Sequence, residues 1–309
     1  MLKTKVFSFF SVACVAALTL SAAFAGMTTE EVKRFTDLSK KAGMGDPESQ
    51  YLLGRCYENG EGVEKDYFTK ATLWISKAAN QSYAPAQHNM GHRYFMGQGV
   101  AQDSTEAVVW YRKAADQGYA NSLAMLGYHY DTGEGVQKDQ GKAVVFWRSA
   151  AEKGLAAAQY HMGLRYNRGI GVAKEDFLAA EWFRKAAKQD HVEAQHALGN
   201  CYLKGEGVPK DYSIAEGWLE KAAQSGHAIA NYTLGQLYEA GEAVPKNLTE
   251  AYAYYNIAGA TEERAQKALA ELEKKLTKNE IIEGQKLSRQ KKDGIDRRAR
   301  GEIVEEPTR

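Results

Sequence analysis

The stretch AQHNMGHRYFMGQGVAQD, residues 86–103, holds an alanine, a Met-Gly pair, a tyrosine and a Gly-x-Gly-Val turn. Similar strings recur along the chain, each with a leucine or methionine followed by glycine. These pairs begin at positions 53, 90, 126, 162, 198 and 234, so the period is 37 residues once and 36 residues thereafter. A fixed period of this length is typical of stacked supersecondary units, because one unit alone cannot bury its apolar face.

The first half of each repeat predicts a helix. In the quoted repeat, Ala86 lies four residues before Met90 and Tyr94 lies four residues after it, which places all three on one helical face. The tyrosine recurs as Tyr57, Tyr94, Tyr130, Tyr166, Tyr202 and Tyr238. We interpret this face as the core. The glycine after the leucine or methionine then marks a point where a neighbouring helix approaches closely.

The second half of each repeat predicts another helix, in which an alanine is followed three residues later by a large aromatic residue. The aromatic residues are Trp74, Trp110, Phe146, Trp182, Trp218 and Tyr254, and Lys-Ala-Ala usually follows. We expect these rings to fill the space that the alanines leave. The first loop glycine is expected to end the preceding helix in a left-handed conformation. The side chains expected to cap the second helix are Asp103, Asp139, Asp211 and Asn247.

The combined pattern resembles a known repeat family. Ala-Gln-x-x-Leu-Gly-x-x-Tyr, then Gly-x-Gly-Val-x-x-Asp, then Ala-x-x-Trp-x-x-Lys-Ala-Ala is similar to the Sel-one-like repeat (SLR) family, a relative of tetratricopeptide arrays. The resemblance implies an α/α solenoid that serves as an adaptor or scaffold for other proteins and is not an enzyme. The sixth repeat is degenerate, because Ala243 replaces the second loop glycine and Ile257-Ala258-Gly259 replaces Lys-Ala-Ala.

The predicted fold is all-α: a right-handed α/α solenoid (superhelix) of six helix-turn-helix repeats with terminal capping helices, which shield the open ends of such an array. The predicted boundaries are a signal peptide at 1–25, an N-terminal capping helix at 26–44, six repeats at 45–259, C-terminal capping helices at 260–290 and a charged flexible tail at 291–309. The tail prediction rests on low apolar content and dense mixed charge after residue 290.

The first 25 residues have the features of a secretory signal. Lys3 and Lys5 precede an apolar run over residues 6–20, and a small-residue cleavage pattern ends at Ala25. A membrane anchor is the less favoured alternative, since a bilayer requires roughly 20 apolar residues. A lipoprotein would use Cys14, which lacks the expected leucine before it. We therefore predict cleavage after Ala25, a periplasmic or secreted protein, and no membrane span after signal removal.

Charge and cysteine content argue against a nucleic-acid-binding protein and against a scaffold held together by disulfides. Of 40 basic and 39 acidic residues, cleavage removes only Lys3 and Lys5, so the mature chain lacks the strong basic excess of a nucleic-acid-binding protein. The remaining thiols, Cys56 and Cys201, occupy equivalent positions four repeats apart. A disulfide requires Cα atoms about 4.4–6.8 Å apart, so no intramolecular bridge is expected. Shielded thiols or pairing between molecules remain as alternatives.

Neither a metal nor a cofactor is expected. His88 and His92 are one helical turn apart, and His129 follows in the next repeat, but no acid or thiol accompanies them in the pattern. Because some SLR proteins have been described as penicillin-binding, a β-lactam-hydrolysing enzyme is a further alternative. Only Ser288 and Lys291 match its Ser-x-x-Lys spacing, whereas Ser-Asp-Asn and Lys-Thr-Gly are absent. We expect no catalytic residues.

The face opposite the core stripe of the first helices is the candidate binding surface. In this type of solenoid it lines the inner curve, and aromatic and arginine side chains are common anchors of interfaces. The candidate residues are His88, His92, Arg93, Tyr128, His129, Tyr160, His161, Arg165, His196 and Asn200. One interpretation is a solvated face with a few satisfied histidines. The other is a groove for an extended or acidic segment of another envelope or secreted protein, or for peptidoglycan or carbohydrate.

Overall fold

The computed structural model describes residues 27–241 and 244–302, and the chain divides into two compact units, residues 1–150 and 151–309. Within the described ranges it forms fifteen α-helices and no strand. The helices of unit 1 are α1 Thr29–Gly43, α2 Pro47–Asn59, α3 Lys70–Asn80, α4 Ala84–Met96, α5 Ser104–Asp116, α6 Ala120–Thr132 and α7 Gln140–Glu152, which ends just past the boundary. The helices of unit 2 are α8 Ala156–Arg168, α9 Asp176–Ala187, α10 Val192–Lys204, α11 Tyr212–Gln224, α12 Ala228–Ala240, α13 Leu248–Ala258, α14 Glu263–Glu273 and α15 Lys278–Ala299.

Each repeat is a pair of packed helices whose ends are fixed by local chemistry. Repeats one to three are α2–α3, α4–α5 and α6–α7, and repeats four to six are α8–α9, α10–α11 and α12–α13. The first helix of each repeat ends at a glycine, and Gly97 at the end of α4 has φ +69°. The second helix of repeat two begins at Asp103, whose Oδ1 accepts the backbone N–H groups of Thr105 and Glu106 at 2.9 and 3.0 Å. The predicted loop and cap chemistry is confirmed.

The glycine inside each first helix is the contact point of its repeat. A Cβ added at Gly163 would lie 2.5 Å from the ring of Phe183, so any side chain there would force the two helices apart. The residues that pack on these glycines are Ile75, Tyr111, Trp147, Phe183, Leu219 and Tyr255. The close approach is confirmed. The side chain over the glycine belongs to the residue after the predicted aromatic one. The predicted rings of Trp110 and Tyr254 pack in clusters with alanines.

The predicted aromatic residues make a second kind of contact, and most of them are only half buried. The ring of Trp74 lies 4.1 Å from the ammonium of Lys77, and Trp182 lies 4.0 Å from that of Lys185. This cation–π contact explains why lysine follows the aromatic residue by three positions, one helical turn. The sequence placed the rings on the correct helix and missed their partner.

The ends of the helical array carry additional helices. Helix α1 begins with a capping box in which the Thr28 side chain accepts the Glu31 N–H and Glu31 accepts the Thr28 N–H. Helix α15 begins with the same reciprocal cap, formed by Thr277 and Glu280. The predicted signal peptide lies outside the described residues. No helix among those described combines the length and the apolar character needed to cross a bilayer.

The boundary predicted at residue 290 is wrong, because α15 continues through Lys291 to Ala299. Two contacts with α13 hold this charged segment. Asn256 Nδ2 donates to the buried Ser288 hydroxyl at 2.8 Å, and Lys291 Nζ lies 3.2 Å from Glu250 Oε2. The low apolar content suggested a tail, but the charged groups have partners that only the packed helices provide. Residues 303–309 lie outside the described residues.

Candidate functional site

The ten candidate residues are divided equally between the units, and only some of them are accessible. Unit 1 contains His88, His92, Arg93, Tyr128 and His129. Unit 2 contains Tyr160, His161, Arg165, His196 and Asn200. Arg93, His129 and Arg165 are buried, His92 is exposed, and the remaining six are half buried. The predicted face therefore separates into an interior polar layer and a partly open surface.

Arg93 is an interior residue, with 1% of its surface exposed, so its assignment to a binding surface is wrong. Its Nη2 pairs with Glu58 of repeat one, and its Nη1 donates to Thr72 Oγ1 at 2.7 Å and to the Gln98 carbonyl at 3.2 Å. A buried guanidinium is tolerated when its donors and charge are satisfied in this way. Arg93 therefore links repeats one and two.

His129 and Arg165 occupy the same helical position as Arg93 and are also buried, at 0% and 5% exposed. His129 Nδ1 lies 2.8 Å from the carbonyl oxygen of Glu134, and Arg165 Nη1 lies 3.4 Å from that of Ile170. In each case the acceptor is the loop residue five positions later, as it is for Arg93. These side chains satisfy a carbonyl of the glycine turn, and their assignment to an open face is also wrong.

His88 is held inside unit 1 by neighbouring rings and a hydroxyl. Its Nδ1 lies 2.9 Å from Ser122 Oγ, and its ring centroid lies 5.4 Å from that of Tyr111 and 5.3 Å from that of Tyr119. Burial, assisted by the nearby His92, lowers the pKa of His88 to about 4. His88 is therefore neutral at physiological pH. Within unit 1, these contacts fit the interpretation of His88 as a satisfied histidine.

The accessible part of the candidate face in unit 1 is a small aromatic strip. We define the unit 1 strip as His92, Phe95 and Tyr128. The Phe95 and Tyr128 rings lie 6.0 Å apart in an edge-to-face arrangement, and the exposed His92 precedes Phe95 on α4. Tyr128 Oη donates to Glu134 Oε1 at 3.4 Å. Sequence reasoning missed Phe95, although its place one residue after the repeated tyrosine could have indicated it.

In unit 2 the candidate residues form paired rings at the repeat junctions. Tyr160 stacks on His191 with centroids 4.9 Å apart, and His196 stacks on His227 at 4.7 Å. Asn200 Nδ2 lies 3.0 Å from His196 Nε2. Burial, together with the neighbouring His227, lowers the pKa of His196 to about 4. The half-buried rings and the Asn200 amide present mixed aromatic and polar chemistry.

The histidine partners in unit 2 were not predicted as functional residues. His227 Nδ1 accepts the backbone N–H of Ala230 at 3.0 Å, and His191 Nδ1 accepts that of Ala194 at 3.3 Å. Each therefore caps the N-terminus of a first helix, a position that usually holds Ser, Thr, Asp or Asn. The signal that could have indicated them is their position three residues before the small residue of the motif, Ala194 or Ala230, where a helix must begin.

Comparison with known proteins agrees with this architecture. The model of the Sel1 repeat family matches residues 47–83, 84–119, 120–155, 156–191, 192–227 and 228–260. The chain belongs to the Sel1 repeat family. The six-repeat assignment is confirmed, and the fold class is the all-α solenoid type of SLR proteins. Sel1 repeat solenoids are in general non-catalytic scaffolds for protein interactions.

Two solved structures are similar in sequence and in fold. A protective antigen present in uropathogenic Escherichia coli strains, which displays an SLR fold, is 33% identical with a TM-score of 0.75 over 84% of this chain. The match spans 56% of the antigen. A Sel1 repeat protein from Oxalobacter formigenes is also 33% identical, with a TM-score of 0.65 over 79% of this chain and 96% of its own. A search of curated proteins gives no match.

The alternative chemistries of this Sel1 repeat chain find little support in its side chains. Within residues 27–241 and 244–302, no group of three or more His, Cys, Asp or Glu side chains is arranged to hold a metal ion. Ser288 is buried and donates to the Gln285 carbonyl at 3.1 Å, while Lys291 binds Glu250 and Tyr254. The Ser-x-x-Lys pair is thus engaged in packing α15.

The two cysteines of this Sel1 repeat chain that fall within the described ranges, Cys56 and Cys201, are both buried. Cys56 is 2% exposed and Cys201 is 4% exposed, and each is a free cysteine. Burial, reinforced by Glu206 and Asp176, raises the pKa of Cys201 to about 11. A thiol that stays protonated and shielded is a poor nucleophile. Within each unit the cysteine acts as a small apolar residue at the position that Arg93 and His129 hold elsewhere.

Proposed function

We propose that this Sel1 repeat chain is an exported scaffold of the cell envelope that binds other envelope or secreted proteins through its first-helix face. The observation that carries the proposal is the unit 1 strip, in which two half-exposed aromatic rings adjoin the exposed His92. Aromatic side chains are enriched where one protein anchors another.

The layer beneath the strip supports this role. His129 is 5.2 Å from Phe95 and 5.6 Å from Tyr128, measured between ring centroids, and it is fixed by its bond to the Glu134 carbonyl. Burial lowers the pKa of His129, so the supporting ring is neutral. A rigid aromatic surface loses little conformational entropy on binding, which favours recognition of a partner segment.

Site-specific photo-crosslinking in the envelope tests this function. A benzoyl-phenylalanine replaces Tyr128 or His92, and a matched control replaces Asp116 at the exposed end of α5. We expect discrete crosslinked proteins from positions 92 and 128 that are missing from position 116. The His92→Ala and Tyr128→Ala variants should weaken capture of the same proteins by about 1–2 kcal/mol each. Equal capture from all three positions would contradict the proposal.

Export is tested separately, by the mature N-terminus. The basic start, apolar run and Ala23-Phe24-Ala25 pattern support cleavage after Ala25. N-terminal sequencing of protein recovered from the periplasm or medium should begin at Gly26. Retention of Met1 in a cytoplasmic fraction would contradict export and leave the binding face to be judged by crosslinking.

A sugar is the alternative partner. In unit 2 the half-buried rings of Tyr160 and His191 present aromatic surface that suits a sugar as well as a peptide. Incubation with purified peptidoglycan separates the two partners. We expect the protein to remain in the supernatant when the glycan is sedimented. Co-sedimentation lost in a Tyr160→Ala variant would instead favour the wall-binding alternative.

A further inference from the structure

A cleft of about 1010 Å³ lies in unit 2 between α11, α12, α13 and the C-terminal half of α15. Its lining includes two stacked rings, Tyr238 and Tyr254, with centroids 5.7 Å apart and planes 13° from parallel. Leu287 and Ile295 of α15 add apolar surface. The cleft contains no residue of the unit 1 strip and none of the ten candidate residues of the first-helix face.

One of the two tyrosines already holds a cation from the chain itself. The Lys291 ammonium lies 4.3 Å from the centroid of Tyr254, 3.1 Å from its hydroxyl and 3.2 Å from Glu250 Oε2. Ring, hydroxyl and carboxylate together form a cation site. The second tyrosine is bonded directly to a carboxylate, since Tyr238 Oη donates to Glu216 Oε1 at 2.6 Å. A further carboxylate, that of Glu220, lines the cleft beside it.

In other repeats, the tyrosine equivalent to Tyr238 is contacted by an arginine of the same chain. Arg112 Nη2 donates to Tyr130 Oη at 2.8 Å, and Arg184 Nη2 donates to Tyr202 Oη at 3.2 Å. Each arginine precedes its tyrosine by 18 residues. The residue 18 positions before Tyr238 is Glu220, so the charge at this place is reversed.

We propose that the cleft binds a lysine or arginine side chain from a basic segment of a partner protein. The guest cation lies against Tyr238, between Glu216 and Glu220, in the place that the arginine holds at the equivalent tyrosines. Three carboxylates line the cleft against two cationic side chains, Lys291 and Arg298, and Lys291 is already paired. The volume exceeds that of one side chain, so the flanking residues of the guest also fit.

The local electrostatics agree with this occupant. Burial and the hydrogen-bonded Glu216 raise the pKa of Tyr238, and Glu220 and Glu250 contribute in the same direction. Burial disfavours a charge of either sign, whereas the three carboxylates disfavour a further negative charge and favour a positive one. Because Glu216 and Glu220 stand on one helix, α11, their carboxylates are held in place before the guest arrives.

The test is fluorescence anisotropy with a rhodamine-labelled tetra-arginine amide as the probe, on the full mature chain at about 50 mM salt, where exposed charges are weakly screened. Glu220→Arg places the chain's own guanidinium beside Tyr238 and should weaken probe binding about tenfold or more. Glu64→Arg is the matched control, because Glu64 is exposed in unit 1 and the change in net charge is the same. It should change the affinity less than about twofold.

A second variant separates shape from charge. Gly294 lines the cleft on α15, and a Cβ added there has only Arg298 Nη1 within 4 Å, at 3.7 Å. Gly294→Leu raises the helix propensity and narrows the cleft, so it should also weaken probe binding. This variant tests the proposal even if Glu220→Arg fails to fold. Three results would overturn the proposal. The probe affinity falls equally in Glu220→Arg and Glu64→Arg, it is unchanged in Gly294→Leu, or the parent protein does not bind the probe. None of these outcomes bears on the first-helix face, whose crosslinks at positions 92 and 128 are measured independently.

Discussion

Repeats two and five place different chemistry at one position of the same helix. Arg93 and Cys201 both stand three residues after the leucine or methionine, and they are 1% and 4% exposed. Arg93 is charged and bonded to groups of repeat one, whereas Cys201 packs with Phe183 and Leu198 in an apolar cluster. The repeat therefore fixes the burial of this position and leaves its polarity to be decided by the partners that neighbouring residues provide.

The largest expected difference is between removal of these two side chains. Arg93→Ala should lower the free energy of unfolding by about 3–5 kcal/mol, because it leaves Glu58 buried without its partner. Cys201→Ala removes one sulfur atom from an apolar cluster and should lower it by roughly 1 kcal/mol. Urea denaturation followed by circular dichroism measures both. The double variant Arg93→Met/Glu58→Met should recover much of the loss. Similar values for the two single variants would show that the ion pair is dispensable.

Acid should destabilise the fold through its neutral histidines. His88 and His196 have folded-state pKa values of about 4, below the ordinary value of 6.5. Since the folded state binds fewer protons, stability is complete above pH 6.5 and falls as the pH drops towards 4. The loss should reach about 3 kcal/mol for each histidine.

Denaturation curves between pH 7 and pH 4 measure this effect. His88→Gln should flatten the dependence, while His92→Gln, which alters an exposed ring, should retain most of it. An unchanged slope in His88→Gln would mean that the carboxylates alone produce the acid sensitivity.

Two helical glycines compare a position packed against a neighbouring helix with a position that has open space around it. Gly163→Ala should destabilise the protein by about 1–2 kcal/mol despite the higher helix propensity of alanine, because the added Cβ meets the Phe183 ring at 2.5 Å. Gly217 on α11 has nothing within 4 Å of an added Cβ, so Gly217→Ala should stabilise by up to about 1 kcal/mol. Thermal unfolding of the pair gives the sign directly, and the same sign in both would remove the packing argument.

The last comparison concerns the reactivity of the thiol and not the stability of the fold. Because burial raises the pKa of Cys201 to about 11, its reaction with a disulfide reagent at pH 8 should be at least about 10²-fold slower in the native protein than in urea. Absorbance of the released reagent thiol follows this rate. Rapid native labelling would show that the cysteine position opens readily, unlike the bonded Arg93 position.

Much of the fold could be predicted because the periodic pattern encodes local physics. The helix ends at Gly97 and Asp103 and the close approach at Gly163 follow from backbone sterics and capping, which act over a few residues. The end of α15 was predicted too early, because the partners of Lys291 lie about 40 residues earlier on α13. Composition alone contains no record of such distant contacts.

The candidate site was predicted less well, since a helical face read from sequence spacing does not distinguish exposed side chains from those beneath them. His92 and Arg93 are neighbours in sequence, yet one is exposed and the other is buried. The place in the repeat decides the burial, since His129, Arg165 and Cys201 are also buried at the position of Arg93. Glu58, 35 residues earlier, supplies the partner that a guanidinium needs there. Glu220 shows the converse, because its importance appears only when Arg112 and Arg184 are seen to contact tyrosines.

The sequence by itself determined the number of repeats, the helical class and the positions of turns and caps, because these depend on local backbone preferences repeated six times. Tertiary structure alone decided which polar residues are interior, which rings remain open and where the last helix ends. Those outcomes depend on desolvation and on hydrogen-bond partners brought from other repeats, and a charged side chain is stable inside only where such partners meet it.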